Sequence, residues 1–261
     1  MLQRFINDIK RFGHYTLYAA RSELRAEVAN SYLNWLWWIL EPFCFMLVYT
    51  FVFGYMFAQK QEYFPIFVFI GLTFWQFFDR LLMSSVRLVK NNKSIVAKVY
   101  LPKFTLILVK ILVNGFKMLI SFAIVFAMMI VFRVPLTLNV LWLPLIILLH
   151  VLITFAFCSV LLHFGVYVED LANVLRIGLR LLFYVTGIFY NIESKLPGQW
   201  GKFFNRCNPA AFVMSSARDC LLYGEAPSLK WMLAWFIAGI LILILGIRLI
   251  YKNENSYVKV I

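Results

Sequence analysis

Few residues of this 261-residue chain could do chemistry, and their spacing argues against most of the reactions they could support. His150 and His163 stand thirteen apart, not at the four-residue spacing that puts two metal ligands on one helix face, and no acidic residue lies near them in sequence. Packed or hydrogen-bonded histidine is the expectation for both. A phosphate-cradling loop needs G-x-x-x-x-G-K-[ST]. The nearest stretch, Gly198-Gln199-Trp200-Gly201-Lys202, has the wrong spacing and runs into Phe203, so ATP is not expected to bind this chain. The G-x-S-x-G elbow of a serine hydrolase is absent from the sequence. Cys44, Cys158, Cys207 and Cys220 lack metal-ligand spacing and sit mostly in apolar runs, where cysteine behaves as a small hydrophobe. No metal site and no disulfide framework is expected.

What remains is charge in apolar places. Glu41-Pro42 interrupts a long apolar run, and two readings are open: a carboxylate facing a partner helix or cavity, or one close enough to an interface to stay wet while Pro42 kinks the helix. Lys110 and Lys117, seven apart on one helical face, should meet protein or water instead of lipid. Arg176 and Arg180 share a face and could pair with Glu169 or Asp170, or snorkel to phosphates. The aromatic patches Phe74-Trp75-Gln76-Phe77-Phe78, Phe183-Tyr184 and Phe189-Tyr190 could stack on pyranose rings along a path for sugar, or form a lipid-facing belt.

The elements that position these groups read as membrane spans. Between Val28 and Gln59 the only ionisable side chain able to carry charge at neutral pH is Glu41; Tyr63 to Phe78 and Trp231 to Ile247 have none, and Val134 to Val168 has only the two histidines. A hydrocarbon core of about 30 Å takes roughly 20 apolar residues as a helix. With 63% hydrophobic and 14% charged residues, an ordinary soluble domain is excluded. The net charge of +13 would suit nucleic acid, but on so apolar a chain it belongs to loops facing anionic lipid, so no nucleic acid is expected as partner.

The fold class is therefore all-α and polytopic, with six spans. Residues 2–18 place Leu2, Phe5, Ile6, Ile9 and Phe12 at helical spacing with basic residues on other faces, a helix lying on a membrane surface. No cleaved signal peptide is expected. Spans follow at about 35–57 and 64–86, then a third that carries Lys110 and Lys117 ahead of the uncharged run 118–132, a fourth at about 141–164, a fifth that must include Arg176 and Arg180 because 181–192 alone is too short, and a sixth at about 231–251. The chain forms one domain over 1–261, with 1–30 interfacial, 31–251 spanning and 252–261 a tail. Basic residues cluster before span one and between Arg80 and Lys103, against only Lys60 and Arg133 in the alternate loops, so both termini are expected in the cytoplasm. The segment from Glu193 to Lys230 then lies outside despite its five basic residues, and Ala210 to Ser216 is apolar enough to dip into the membrane.

Tyr32-Leu33-Asn34-Trp35-Leu36-Trp37-Trp38-Ile39-Leu40-Glu41-Pro42 resembles the entry to the first span of ABC-2 type permeases that export polysaccharides, the O-antigen, capsule and teichoic-acid group. The likeness continues through Leu101-Pro102, Val168-Glu169-Asp170-Leu171, Thr186-Gly187-Ile188-Phe189-Tyr190, Asn208-Pro209 and Arg218-Asp219, with Glu169 where the family usually has Arg and Gly187 where it usually has Pro. This resemblance implies a homodimeric subunit in the cytoplasmic membrane, a separate ATPase in two copies that binds ATP and magnesium, a lipid-linked glycan as cargo, and no cofactor or catalytic residue in this chain. It implies coupling to the ATPase through a short helix at about 90–100 and the N-terminal helix, with Lys90, Lys93, Ile95, Lys98, Val99, Tyr100, Glu169 and Asp170 as contacts. Glu41, Trp35, Trp38, Trp75, Phe78, Tyr184 and Tyr190 are the channel or dimer candidates, and re-entrant helices are expected over about 192–228. Competing readings are an ABC-2 permease for a drug, lipid or peptide, a polytopic glycosyl- or acyltransferase, and a passive channel.

Overall fold

The computed structural model describes residues 2–29, 32–56, 61–195 and 199–260. Phe57, Lys60 and Gly198, used above for a span end, for orientation and for a loop, lie outside the described residues. Helix α1 (Leu2–Val28) is followed by a 3-10 turn (Asn34–Leu36) and α2 (Trp37–Tyr49), which widens into a π-helical stretch, Thr50–Met56. Next come α3 (Phe64–Val86), the single turns α4 (Leu88–Asn91) and α5 (Lys93–Val96), and α6 (Lys103–Val131). A 3-10 turn (Leu138–Trp142) opens α7 (Leu143–Tyr167), and α8 (Leu171–Val185) follows directly. The short helices α9 (Ile192–Lys195), α10 (Trp200–Cys207) and α11 (Pro209–Arg218), the last extended by a π turn (Asp219–Tyr223), lead to α12 (Leu229–Val260). No strand occurs among the described residues.

Five helical stretches are long and apolar enough to cross a membrane: Trp37–Met56, Phe64–Val86, Lys103–Val131, Leu138–Tyr167 and Leu229–Tyr257. The expected fifth span is shorter than a crossing requires. At about 1.5 Å per residue, the 15 residues of α8 measure roughly 22 Å, short of an apolar core of about 30 Å. Its end is set by Gly187, whose φ of +73° is open to glycine and costly to other residues. The same angle explains why the usual proline is missing here, since proline fixes φ near −65°.

Helices α7 and α12 settle what α8 does. Gly239 packs on Leu152, Gly246 on Ser159, and the Tyr257 hydroxyl sits 2.7 Å from His163 Nδ1, so the contacts advance in the same direction along both helices. They are parallel. Residues 168–228 therefore return the chain from the end where α7 finishes to the end where α12 begins, and α8 makes that journey. It stops early: Ile188 lies against Gly71, two turns inside α3, and α11 comes in to meet it there, packed on α3 and α7. The apolar stretch read as dipping inward is thus a helix with Ala210 to Met214 buried.

Lipid tails are as apolar as leucine, so close fit and small residues hold such helices together more than hydrophobic expulsion does. Helix α3 is the axis of the bundle, with Ile66, Val68, Phe69, Ile70 and Phe74 fully buried against its neighbours. A Cβ on Gly246 would come within 2.6 Å of Ser159, which shows how tightly α12 seats on α7. Both histidines are satisfied as the spacing argument expects: the buried His150 ring meets the Phe74 carbonyl at 3.1 Å, and His163 meets Tyr257. The four cysteines are unpaired.

Two helices run further than the sequence reading placed them. Helix α1 continues from residue 18 through the mixed-charge segment to Val28, and α12 continues through the expected tail to Val260. Their ends meet. Arg4 donates to Glu254 and to the Tyr100 hydroxyl, each at 2.6 Å, its guanidinium lies over the Tyr251 ring, and the Tyr251 hydroxyl donates to Asp8 at 2.6 Å. This basic end of the bundle thereby collects both terminal helices and the α5–α6 connection.

Candidate functional site

At the basic end, the connection after α3 is nailed down by apolar side chains and presents others outward. Leu88, Val89, Val96 and Leu101 are buried, whereas Ile95, Val99 and Tyr100 are exposed beside exposed Lys93 and Lys98. A rigid mount with an apolar and cationic tip is what a docking surface needs. Lys90 donates to Glu169 at 3.2 Å, which ties this connection to the α7–α8 turn, while Asp170 stays exposed at the start of α8. Of the eight coupling candidates, seven therefore cluster through one anchored connection and its contact, and Asp170 adjoins them.

Inside the bundle the charges are paired across helices. Arg80 Nη2 donates to Glu41 Oε1 at 2.7 Å, both side chains remaining partly open to the surroundings. Lys117 lies 2.5 Å from Glu27 Oε2, and Lys110 pairs with Glu23. The two lysines seven apart on α6 thus meet two glutamates four apart on α1, and this is why α1 stays helical past residue 18. Glu41, Arg80 and Lys117 open on one polar cleft with Thr73, Gln76 and Asn114. For Glu41 the geometry combines both sequence readings, a helix contact that remains accessible.

The aromatic candidates divide. Trp35 and Tyr184 are exposed, and Trp38 meets Phe116 edge-on at 5.8 Å. Trp75 and Phe78 are buried in this chain's own core, where Trp75 packs edge-on against Phe183 and Phe78 against Phe157. The Tyr190 hydroxyl donates to the Tyr184 carbonyl at 2.8 Å and fixes the turn after α8. Beside it, Tyr49 and Phe53 from the α2 stretch pack on Phe189, Phe53 stacking at 4.3 Å. Helices α2 and α8 share this aromatic seam and leave most of their remaining surface uncovered, with only Pro42 and Met46 buried on one and Ala172 and Leu179 on the other.

At the opposite end Arg218 is buried, and residue spacing gave no hint of its role. Its guanidinium donates to the carbonyls of Phe67, Gly187 and Ile188 at 2.8–3.0 Å and lies 3.5 Å over the Phe67 ring. Asn208 caps α11 by accepting from the Ala210 and Ala211 amides and donates to Thr186 Oγ1 at 3.1 Å. Together they lock α11, the end of α8 and the start of α3. An arginine set in the apolar run 210–222 was the available signal, because a cation there must find carbonyls or a carboxylate.

Residues 16–222 match the ABC-2 type transporter family. The chain belongs to that family. Two O-antigen export system permease proteins named RfbA from Klebsiella pneumoniae are 22% and 23% identical to it over 240 residues, 92% of each chain. A third of the same name from Myxococcus xanthus is 22% identical over the same share. An ABC-2 type transporter with apolar helices of this length and number is a multi-pass membrane protein.

Proposed function

We propose that this chain is the permease subunit of an ATP-driven exporter that carries a lipid-linked polysaccharide of O-antigen type across the cytoplasmic membrane. The observation that carries the proposal is the likeness to O-antigen export permeases over 92% of both chains. The subunit works as two copies with two copies of a separate ABC ATPase, which binds ATP and magnesium. The basic end is cytoplasmic by the excess of Lys and Arg in its short loops, and both terminal helices end there. Helix α8 supplies the fifth of six crossings with the help of the helices that come in to meet it. The anchored tip of Ile95, Lys98 and Val99 receives the ATPase, and the Lys90–Glu169 contact passes its movement to α8. ATP binding elsewhere then shifts the balance between closed and open states of the helices.

A chromosomal deletion tests the reading. Surface glycan should disappear without this chain and return with it, and Ile95→Asp with Val99→Asp should leave the assembled complex unable to couple hydrolysis to export. Normal surface glycan in the deletion strain overturns the function, and unchanged coupling in the double variant overturns the docking site.

A further inference from the structure

Arg176 and Arg180 take no part in the pairings above. Among the described residues neither has an acidic partner: Glu169 is engaged by Lys90, Glu41 by Arg80, and Asp79, on the helix that α8 packs against, forms no ion pair with them. Both side chains are exposed, and they lie about 7 Å and about 13 Å along α8 from Leu171 at 1.5 Å per residue. A guanidinium that far into an apolar layer needs water and a counter-anion. Spacing supplies the rest. Asn173, Arg176, Arg180 and Tyr184 follow steps of three, four and four, so they form one exposed stripe up the helix, with neighbouring Cβ atoms about 5–6 Å apart. Helical side chains lean towards the helix N-terminus, here the basic end, so both guanidiniums are aimed down towards the face where an anion would enter.

We propose that this stripe is a phosphate track, on which the phosphate end of the lipid-linked cargo is held as it leaves the inner leaflet. The assignment rests on the exporter reading and names the part of the cargo that the membrane helices grip. Arginine suits the task, since its planar fork binds phosphate through two parallel hydrogen bonds, and two forks one turn apart can each hold one phosphate of a diphosphate. The exposed Tyr184 ring closes the upper end of the stripe and offers a face to the first sugar behind the phosphate. Charge complementarity selects the occupant. The remaining exposed residues of α8, Val174, Ile177, Leu181, Leu182 and Val185, suit an acyl or isoprenoid chain.

The complex of this chain with its ATPase, in nanodiscs of neutral phosphatidylcholine, provides the test. The probes are a polyprenyl pyrophosphate, the matching uncharged polyprenol, and phosphatidylglycerol, with retention read by native mass spectrometry. Wild type should retain the pyrophosphate at least about tenfold over both others, the scale of one charge-assisted contact. R176Q/R180Q should lose that preference with basal ATP hydrolysis intact, and R176K/R180K should keep part of it. Unchanged retention in R176Q/R180Q overturns the track, and so does equal retention of phosphatidylglycerol by wild type, which would make it a site for bulk anionic lipid. So does a cross-link between copies through a cysteine placed at 180 in a cysteine-free background, which would show a second copy covering the stripe. Surface glycan separates the two readings. Normal export by R176Q/R180Q in a strain whose deletion abolishes glycan sinks the track alone, whereas a deletion that leaves glycan intact sinks the exporter.

Discussion

Arg80 on α3 reaches Glu41 on α2 at 2.7 Å, and both open on the cleft that Lys117 of α6 also lines. Three helices and three charges thus meet at one partly open site, two of the charges paired with each other. If the pair joins helices that move together, Glu41→Gln and Arg80→Gln should each reduce export several-fold at normal membrane levels. Exchanging the charges, Glu41→Arg with Arg80→Glu, should recover at least half of the activity. Wild-type export by both single variants would reduce the pair to an exposed contact worth about 0–1 kcal/mol.

The docking of α1 depends on Glu23 and Glu27 matching Lys110 and Lys117. Glu27→Lys puts two cations in contact. Amide exchange over residues 20–28 should then rise at least about tenfold, as expected when local opening costs less, and Lys117→Glu should restore protection in the double variant. Protection unchanged by Glu27→Lys would show that Ala20 packing on Val109 and Val113 holds the helix without the charges.

At the opposite end Gly187→Pro should abolish folding of the α8–α9 turn, because the required φ is +73°. Gly187→Ala should cost about 1–2 kcal/mol from the left-handed backbone alone, with more added because a Cβ would come within 2.5 Å of Ile192. Arg218→Leu strands the Gly187 and Ile188 carbonyls, at about 1–3 kcal/mol each. Thermal midpoints in detergent check all three, and a wild-type midpoint for Arg218→Leu would remove the lock from the fold.

Much of this arrangement was legible in the residues, though not all for the same reason. Apolarity on both sides of Asp79-Arg80 places Phe64–Val86 to the residue, and the seven-residue spacing of Lys110 and Lys117 is enough to foresee that they avoid lipid. The length of α8 was not legible, because Arg176 and Arg180 blur its hydropathy and its end is set by a backbone angle at Gly187. The reach of α1 and α12 was hidden for another reason. Each is held past its apolar stretch by partners more than eighty residues away, Lys117 for Glu27 and Arg4 for Glu254. Burial of Trp75 and Phe78 likewise depends on tertiary packing, which an aromatic run alone does not reveal.

Asp219, between α11 and α12, gives a pH signature. Burial pushes its carboxyl up to about 7, Glu225 and Glu193 add to the rise, and Arg218 opposes it. Unfolded, the group ionises near the ordinary aspartate value of 3.8, so between about 4 and about 7 the folded chain holds a proton that the unfolded chain has released. Its contribution to stability is greatest below that window, falls as pH rises through it, and is flat above about 7. The thermal midpoint should therefore drop between about pH 4 and about pH 7, and Asp219→Asn should flatten that part of the slope. An identical slope in the variant would assign the effect to another group.

The parallel seating of α12 on α7 also bears on biogenesis. Leu152, Ser159 and His163 turn towards a helix that is synthesised last, some seventy residues after them. Until it arrives, the His163 imidazole on a central helix faces the bilayer without its Tyr257 partner, and the N-terminal helix lacks Glu254 and Tyr251 to hold its first turns. The nascent chain is thus kept open to insertion factors and membrane proteases, and its final helix is the step that closes it to them.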